Sequence, residues 1–235
     1  MSKSTREERP SHEALAVVLQ VRAGELQALL WQRAREPFLG AWSLPGGLLE
    51  PGETLERSIR RHLVAKVDVR ELSHTEQLET CSGPDRHPEQ WLVATAYLGL
   101  VPAHVDPKVP ADTAWHPVDD LPELAFDHEE ITLAGRERLR AKLSYTNIGF
   151  ALAPPAFTVS ELRELYRAAL GHDVSATNLQ RVLLRRRLLE PTGATRPPGR
   201  AGGRPAAVFR FATGDLEVTD PFAVLRPPER PRPGV

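Results

Sequence analysis

Apolar positions change their period along the chain, and each change marks an element. Ala14 to Val21 and Leu26 to Gln32 are runs of strand length separated by Arg22-Ala23-Gly24-Glu25, which predicts a hairpin. Trp91 to Leu100 (WLVATAYLGL) predicts a further buried strand. Between these runs, LPGG and EPGE lead into a helix-like segment, so the first half is mixed α/β. From Phe126-Asp127-His128 the period lengthens, with Ile131, Ala134, Leu139 and Leu143 in helical register. This helix is expected to connect two domains. His128 at its start is expected to cap it or to serve as a structural hydrogen bonder. Tyr145 to Phe150 and Pro154-Pro155 then break the pattern, because a residue before proline is disfavoured in helix.

The second half carries sharper punctuation. Thr158-Val-Ser-Glu161 is a capping box with Phe157 placed to staple onto Leu162, and Leu162, Leu165, Tyr166 and Ala169 form one apolar face. Gly171 ends that helix, and Ser175 is positioned to cap another from Ala176 to about Arg187. Helix, short turn, helix is the helix-turn-helix outline. At about 100° per residue, Leu179, Val182 and Leu183 face inward, while Thr177, Asn178, Arg181 and Arg185 gather on another arc. Arg and Asn carry the forked donors that suit guanine and adenine edges. Two strand-like runs, Leu188 to Thr192 and Ala206 to Phe211, flank the basic, Gly/Pro-rich TGATRPPGRAGGRP. A basic hairpin after such a helix resembles the wing of a winged-helix DNA-binding domain. The simpler alternative is a solvated arginine face followed by a loop.

A chain of 235 residues accommodates two small cores. Its formal charge of −1 conceals an asymmetry: from Ser175 to Arg210 eight arginines face Glu190 alone, a local +7, which leaves −8 on the rest. That distribution points to a polyanionic partner for the C-terminal part. The polar residues 1 to 11 and the Pro/Arg tail 226 to 235 are expected to be disordered. A single cysteine, Cys81, excludes an intramolecular disulfide, leaves no cysteine cluster for zinc, and is expected to serve packing. No signal-like or membrane-length apolar run is present, so the expectation is a cytoplasmic, nucleoid-associated protein without a membrane partner.

Residues 47 to 69 read GLLEPGETLERSIRRHLVAKVDV. Gly47, Glu53, Arg61, Leu63 and Val69 fall on the Nudix pattern G-x5-E-x7-R-E-U-x-E-E-x-G-U, where U is a bulky aliphatic. Gly40-Ala-Trp42-Ser-Leu44-Pro-Gly-Gly47 likewise matches the approach typical of that family, and the segment Thr113 to Pro122 resembles its late W-x5-L-P stretch. The segment therefore resembles a Nudix box, with departures: His62, Ala65 and Lys66 stand where the family has glutamates, and Asp68 replaces its late glycine. Positions 62, 65 and 66 share one helix face. Carboxylates there would hold Mg²⁺, which needs hard oxygen ligands and activates the attacking water. No catalytic residue, metal ligand or cofactor is assigned. The alternatives are an unrelated turn and surface helix, or a metal gathered instead by Glu50, Glu53 and Glu56.

Together, residues 12 to 126, a connecting helix and linker over 127 to 150, and residues 151 to 225 resemble the Nudix-related transcriptional regulators of NAD biosynthesis. The resemblance implies an α/β/α Nudix sandwich followed by a winged helix, and a homodimer on a palindromic operator. It also implies ADP-ribose as the effector and repression of NAD synthesis or salvage genes. Within this resemblance Arg33, Arg35, Trp42, Gly47, Glu53, Arg61 and Arg86 are candidates for the effector pocket. Ser175, Thr177, Asn178, Arg181, Arg185, Arg196, Arg200 and Arg204 are candidates for DNA contact. Two alternatives stand beside it: an active pyrophosphatase using displaced carboxylates, and a Nudix-like repressor of sugar-catabolism genes.

Overall fold

The structure is a computed structural model that describes residues 9–197 and 205–220. Strand β1 (Ser11–Arg22) is its axis. It turns into β2 (Glu25–Gln32) through Ala23 and Gly24, with φ of 50° and 82°, the paired left-handed geometry of a two-residue hairpin. Short strands β3 (Trp42–Ser43) and β4 (Gly46–Leu48) pair with β2 and β1. Helix α1 (Leu55–Val67) follows, then β5 (His74–Cys81), β6 (Leu92–Leu100) and β7 (Thr113–Pro117). The sheet runs β3-β2-β1-β6-β5, with β6 parallel to β1, β4 on β1 and β7 on β2. Helix α2 (His128–Tyr145) closes the first half.

Both faces of β1 are buried, and the period of two sorts them. Ala14, Ala16 and Val18 pack with Ile59, Leu63 and Val67 of α1, whereas Leu15, Val17 and Leu19 pack with Ile131 and Leu139 of α2. This is the expected α/β/α sandwich. The helix expected to connect the domains thus also forms the sheet's second helical layer. Its approach is close: a Cβ added at Gly135 would lie 2.6 Å from Val17 Cγ1.

A 3-10 turn (Ile148–Ala151) leads to β8 (Phe157–Thr158), α3 (Val159–Leu170), α4 (Ala176–Arg185), β9 (Leu189–Arg196) and β10 (Ala206–Phe211). Strands order β8-β10-β9 beside the two helices, which is a winged helix. Each cap falls where the sequence puts it. Thr158 Oγ1 accepts the Glu161 N–H while Glu161 Oε2 accepts the Thr158 N–H, Gly171 closes α3 at φ 76°, and Ser175 Oγ accepts the Asn178 N–H. Helix α4 stops two residues short of Arg187, which takes φ 57° while its N–H turns back to the Leu184 carbonyl.

The two halves share one apolar core, in which Phe157, Leu162 and Tyr166 join Leu15, Val17 and Leu139. Polar bonds stitch the same seam: Ala103 N–H to the Leu152 carbonyl at 2.8 Å, and Arg186 Nη1 to the Ser144 carbonyl at 2.9 Å. Cys81 is partly buried against this core, and burial pushes its thiol up to about 11. Among the described residues no helix is long and apolar enough to cross a membrane.

Gly135→Ala should destabilise the protein by about 1–3 kcal/mol, because the added methyl must displace α2 from Val17. Urea unfolding checks this; an unchanged midpoint would mean that α2 is free to shift.

Candidate functional site

The sheet, α1 and the loops on either side enclose two adjoining hollows. The outer cleft, about 550 Å³, is walled by Arg33, Arg35, Glu36, Pro37 and Glu89. That volume lies in the range of small-molecule sites, roughly 300–1,000 Å³. The inner chamber, about 130 Å³, is walled by Glu13, Ser43, Leu44, Gly46, Gly47, Phe126 and His128. Trp31, Arg33, Leu48, Lys66, His87 and Gln90 line both.

Lys66 is the pivot between the hollows. Its Nζ donates to the Gly46 carbonyl at 2.6 Å and stands 4.1 Å from the centre of the Trp31 ring. Burial, with Arg33 nearby, brings its ammonium down to about 8. Trp31 is fixed by its Nε1 donating to the Leu44 carbonyl. Arg33 donates through Nε to the Pro37 carbonyl at 2.8 Å and lays its guanidinium over Phe126, 4.6 Å from the ring centre. Phe126, at φ 58°, also stacks on His87 at 5.1 Å, so the rim of the inner chamber is aromatic.

The positions that would hold a metal in a Nudix box do not fit one here. Lys66 brings a cation, Ala65 brings nothing, and His62 lies over Gly47 with Nε2 donating to the Leu48 carbonyl at 3.2 Å. Glu50, Glu53 and Glu56 are spread among other partners. Glu53 receives a bidentate grip from Arg61 at 2.8 and 2.7 Å, Glu50 stands 3.4 Å from the same guanidinium, and Glu56 accepts from Tyr97 Oη. The Arg61 hydrogen bonds are the main reason that the Glu53 carboxyl sits down at about 2. Among the described residues no three His, Cys, Asp or Glu side chains gather to hold a metal ion. Asp68 accounts for the family's glycine at that position: it caps α1 in the left-handed region, at φ 50° and ψ 29°.

Of the seven pocket candidates, Arg33, Arg35 and Gly47 line the hollows. The other four are placed elsewhere. Glu53 and Arg61 brace the loop that precedes α1, and Arg61 also donates to the Leu48 carbonyl. Trp42 packs against the core, edge-on to His116 at 4.4 Å. Arg86 is nearly fully buried, with Nη1 on Glu13 Oε1 at 2.9 Å and Nε and Nη2 on the two oxygens of Asp127 at 3.0 and 2.9 Å. It is a brace between β1 and the start of α2. Trp31, His87, Gln90 and Phe126 were missed. Trp31 was within reach, because it alternates with Leu29 on β2 onto the face that meets α1. The other three lie on loops with no period to betray them.

On α4, Thr177, Asn178, Arg181 and Arg185 are all exposed on one arc, and Arg181 Nη2 donates to Asn178 Oδ1 at 2.8 Å. Ser175 is exposed but spends its hydroxyl on the cap. Arg196 remains well exposed and bonds Glu161 of the capping box and the Ala156 carbonyl. Arg200 and Arg204 lie outside the described residues.

An α/β Nudix fold without carboxylates on its metal-binding face, joined to a helix-turn-helix with a wing, defines a ligand-binding domain carrying a nucleic-acid reader. Comparison with known proteins agrees at both ends: residues 10–134 match the NUDIX domain, and residues 149–211 match the NrtR DNA-binding winged helix domain. The ADPR responsive transcriptional repressor NtrR of Acinetobacter baylyi is 32% identical over 211 residues, 87% of this chain and 83% of that protein. The crystal structure of Shewanella oneidensis NrtR complexed with a 27mer DNA superposes with a TM-score of 0.72 at 32% identity, over 85% of this chain and 92% of that one. The NUDIX domain of the same Shewanella protein, crystallised with ADP ribose, gives a TM-score of 0.50 at 32% identity, over 59% of this chain and 94% of that one. The chain belongs to the NrtR-type family of regulators, a Nudix domain followed by a winged helix.

Two arginines separate bracing from binding. Arg86→Ala should cost about 3 kcal/mol of stability, because it leaves Glu13 and Asp127 unpaired in a buried setting. Arg33→Ala should leave the thermal midpoint of the free protein nearly unchanged and reduce the rise in midpoint that an added nucleotide gives. Differential scanning fluorimetry of both variants checks this, and the reverse ranking would overturn the assignment.

Proposed function

We propose that this protein is a DNA-binding repressor of NAD biosynthesis or salvage genes, relieved by ADP-ribose bound in a Nudix domain that does not hydrolyse it. The observation that carries this reading is Lys66. A cation held at 2.6 Å from the Gly46 carbonyl, with Arg33 and Arg35 across the cleft, offers a diphosphate the positive charge that a Nudix hydrolase draws from its metal. A binding site whose cation is a side chain rather than a metal ion is suited to sensing. The names of the relatives support the same effector and the same class of target.

The route from cavity to DNA is α2. Its first residue, His128, lines the inner chamber, and its Ser144 carbonyl receives Arg186, the residue that caps α4. Eighteen residues span about 27 Å, so one rigid element links the pocket to the reading helix. The exposed arc of α4 would enter the major groove, and a homodimer would place two such helices on inverted half-sites about one helical turn, or a multiple of it, apart.

ADP-ribose should bind without added metal, and Mg²⁺ or Mn²⁺ should give no turnover. Product above a no-enzyme control, lost in Glu53→Gln, would instead favour an active pyrophosphatase. Affinity should decline as pH rises through about 8, because the free protein then loses the Lys66 charge that an anion needs. Calorimetry on Lys66→Met, where that slope should flatten, separates Lys66 from other titrating groups.

On DNA, Asn178→Ala or Arg181→Ala should cost about 1–3 kcal/mol and relax base preference. ADP-ribose should weaken operator binding by a factor that operator DNA returns on ADP-ribose, typically about 1–3 kcal/mol of coupling. Equal ADP-ribose affinity with and without saturating operator would remove the sensor reading, and tighter binding to a sugar phosphate would move it to sugar catabolism.

A further inference from the structure

Two buried polar groups in the winged helix have no hydrogen-bond partner among the described residues, and they are complementary. One is the Nε–H of Arg186, the residue that caps α4, which can only donate; the other is the hydroxyl of Tyr166 on α3, which can accept. Tyr166 is buried with Oη over Gly149 of the 3-10 turn, so close that a Cβ added there would lie 2.6 Å from it. Burial pushes that hydroxyl up and the Arg186 charge opposes the shift, so the guanidinium lies within electrostatic reach of it. A buried donor and a buried acceptor left unsatisfied are each costly, and a single bond between them would remove both costs.

The guanidinium is occupied instead by the end of α2. Its Nη1 donates to the Ser144 carbonyl at 2.9 Å, one of the last carbonyls of that helix and so without a partner inside it. Its Nη2 stands 3.8 Å from Asp220, and the backbone N–H groups of Thr219 and Asp220 close the Tyr145 carbonyl beside it. The seat of α4 on α2 therefore runs through one arginine, whose remaining donor has its natural partner on α3.

We propose that Arg186 is a two-position clasp between the domains: bonded to the Ser144 carbonyl it ties α4 to α2, and bonded through Nε to the Tyr166 hydroxyl it ties α4 to α3 and lets go of α2. The guanidinium is a rigid plane, so the turn that brings Nε onto Tyr166 carries Nη1 off Ser144. This rests on the sensor reading above and assigns the residues through which it acts. Operator binding goes with the first position, which fixes the reading helix against the rest of the protein. A ligand in the hollows meets the other end of α2, and a shift of that rigid helix withdraws the Ser144 carbonyl and favours the second.

Tyr166→Phe removes the second position and leaves the first intact. Its thermal midpoint should equal or exceed that of the unsubstituted protein, because it deletes an unsatisfied buried hydroxyl. Operator affinity without ADP-ribose should be unchanged, while the factor by which ADP-ribose weakens operator binding should shrink by about tenfold, the size of one hydrogen bond. In an Arg186→Met background the same change should have no further effect on that factor, since the bond it deletes needs Arg186 Nε. A fall in the midpoint of Tyr166→Phe, or a factor that the substitution leaves as it was, would overturn the inference.

Nitrogen-edited NMR of the arginine side chains in the full chain gives the direct readout. The Arg186 Nε–H signal, assigned by its loss in Arg186→Met, should move when ADP-ribose is added to the unsubstituted protein and should stay in place in Tyr166→Phe. If ADP-ribose does not weaken operator binding in the unsubstituted protein, the sensor reading falls and the clasp with it. If ADP-ribose does weaken it while the Arg186 signal stays in place, the sensor reading stands and the clasp alone is overturned.

Discussion

The buried guanidinium of Arg86 sets the position on which both hollows depend. It joins Glu13, on the central strand β1, to both oxygens of Asp127, the residue that precedes α2. Because Asp127 is occupied in this way, it makes no side-chain cap to its own helix. The start of α2 is held by an ion pair to the sheet rather than by the usual capping bond. His128 is pinned at the wall of the inner chamber, with Leu44 and Ser43 fixing the ring. Further along, the absence of a side chain at Gly135 lets the same helix settle on Val17. Charge places one end of α2 and shape places its middle.

The altered Nudix box follows a comparable economy. Arg61 and Glu53 still lock the loop onto α1, so the backbone of Gly46, Gly47 and Leu48 keeps its place although, among the described residues, no group of three His, Cys, Asp or Glu side chains gathers for a metal. His62 and Lys66 turn toward the carbonyls of that backbone, Leu48 and Gly46 respectively. The face that would present carboxylates to a cation thus presents donors to the loop. A cation tethered by a protein side chain cannot exchange or orient an attacking water as a bound Mg²⁺ does, but it can attract phosphate.

Much of the fold was legible because local signals agreed with one another. The hairpin at Ala23-Gly24, the capping box at Thr158, the stop at Gly171 and the cap at Ser175 each depend on a few adjacent residues, and all four are where the sequence puts them. The site was legible where a basic residue or a glycine stood close to the Nudix box, as Arg33, Arg35 and Gly47 do. Arg33 follows β2 directly, and Lys66 on α1 was read as a cation in place of a metal ligand, not as a wall of the pocket. Arg86, Trp42 and Arg61 looked equally suited to a ligand, since sequence records that an arginine is present and not which carboxylate reaches it first. Phe126 and His87 come together from loops some forty positions apart, a contact that only the closed sandwich creates.

His128 shows why a structural residue and a functional one need not be different residues. As a bare letter near a helix start it suggests a cap or a packed hydrogen bonder, and through Nδ1 it is the latter. That same bond fixes the tautomer, and a fixed tautomer is what aims a donor from the opposite side of the ring. The bond that holds the sheet edge to α2 therefore also sets which ring nitrogen carries the proton. His128 stands at the first residue of a helix whose far end bonds the cap of α4, so the wall of the inner chamber and the seat of α4 belong to one rigid element.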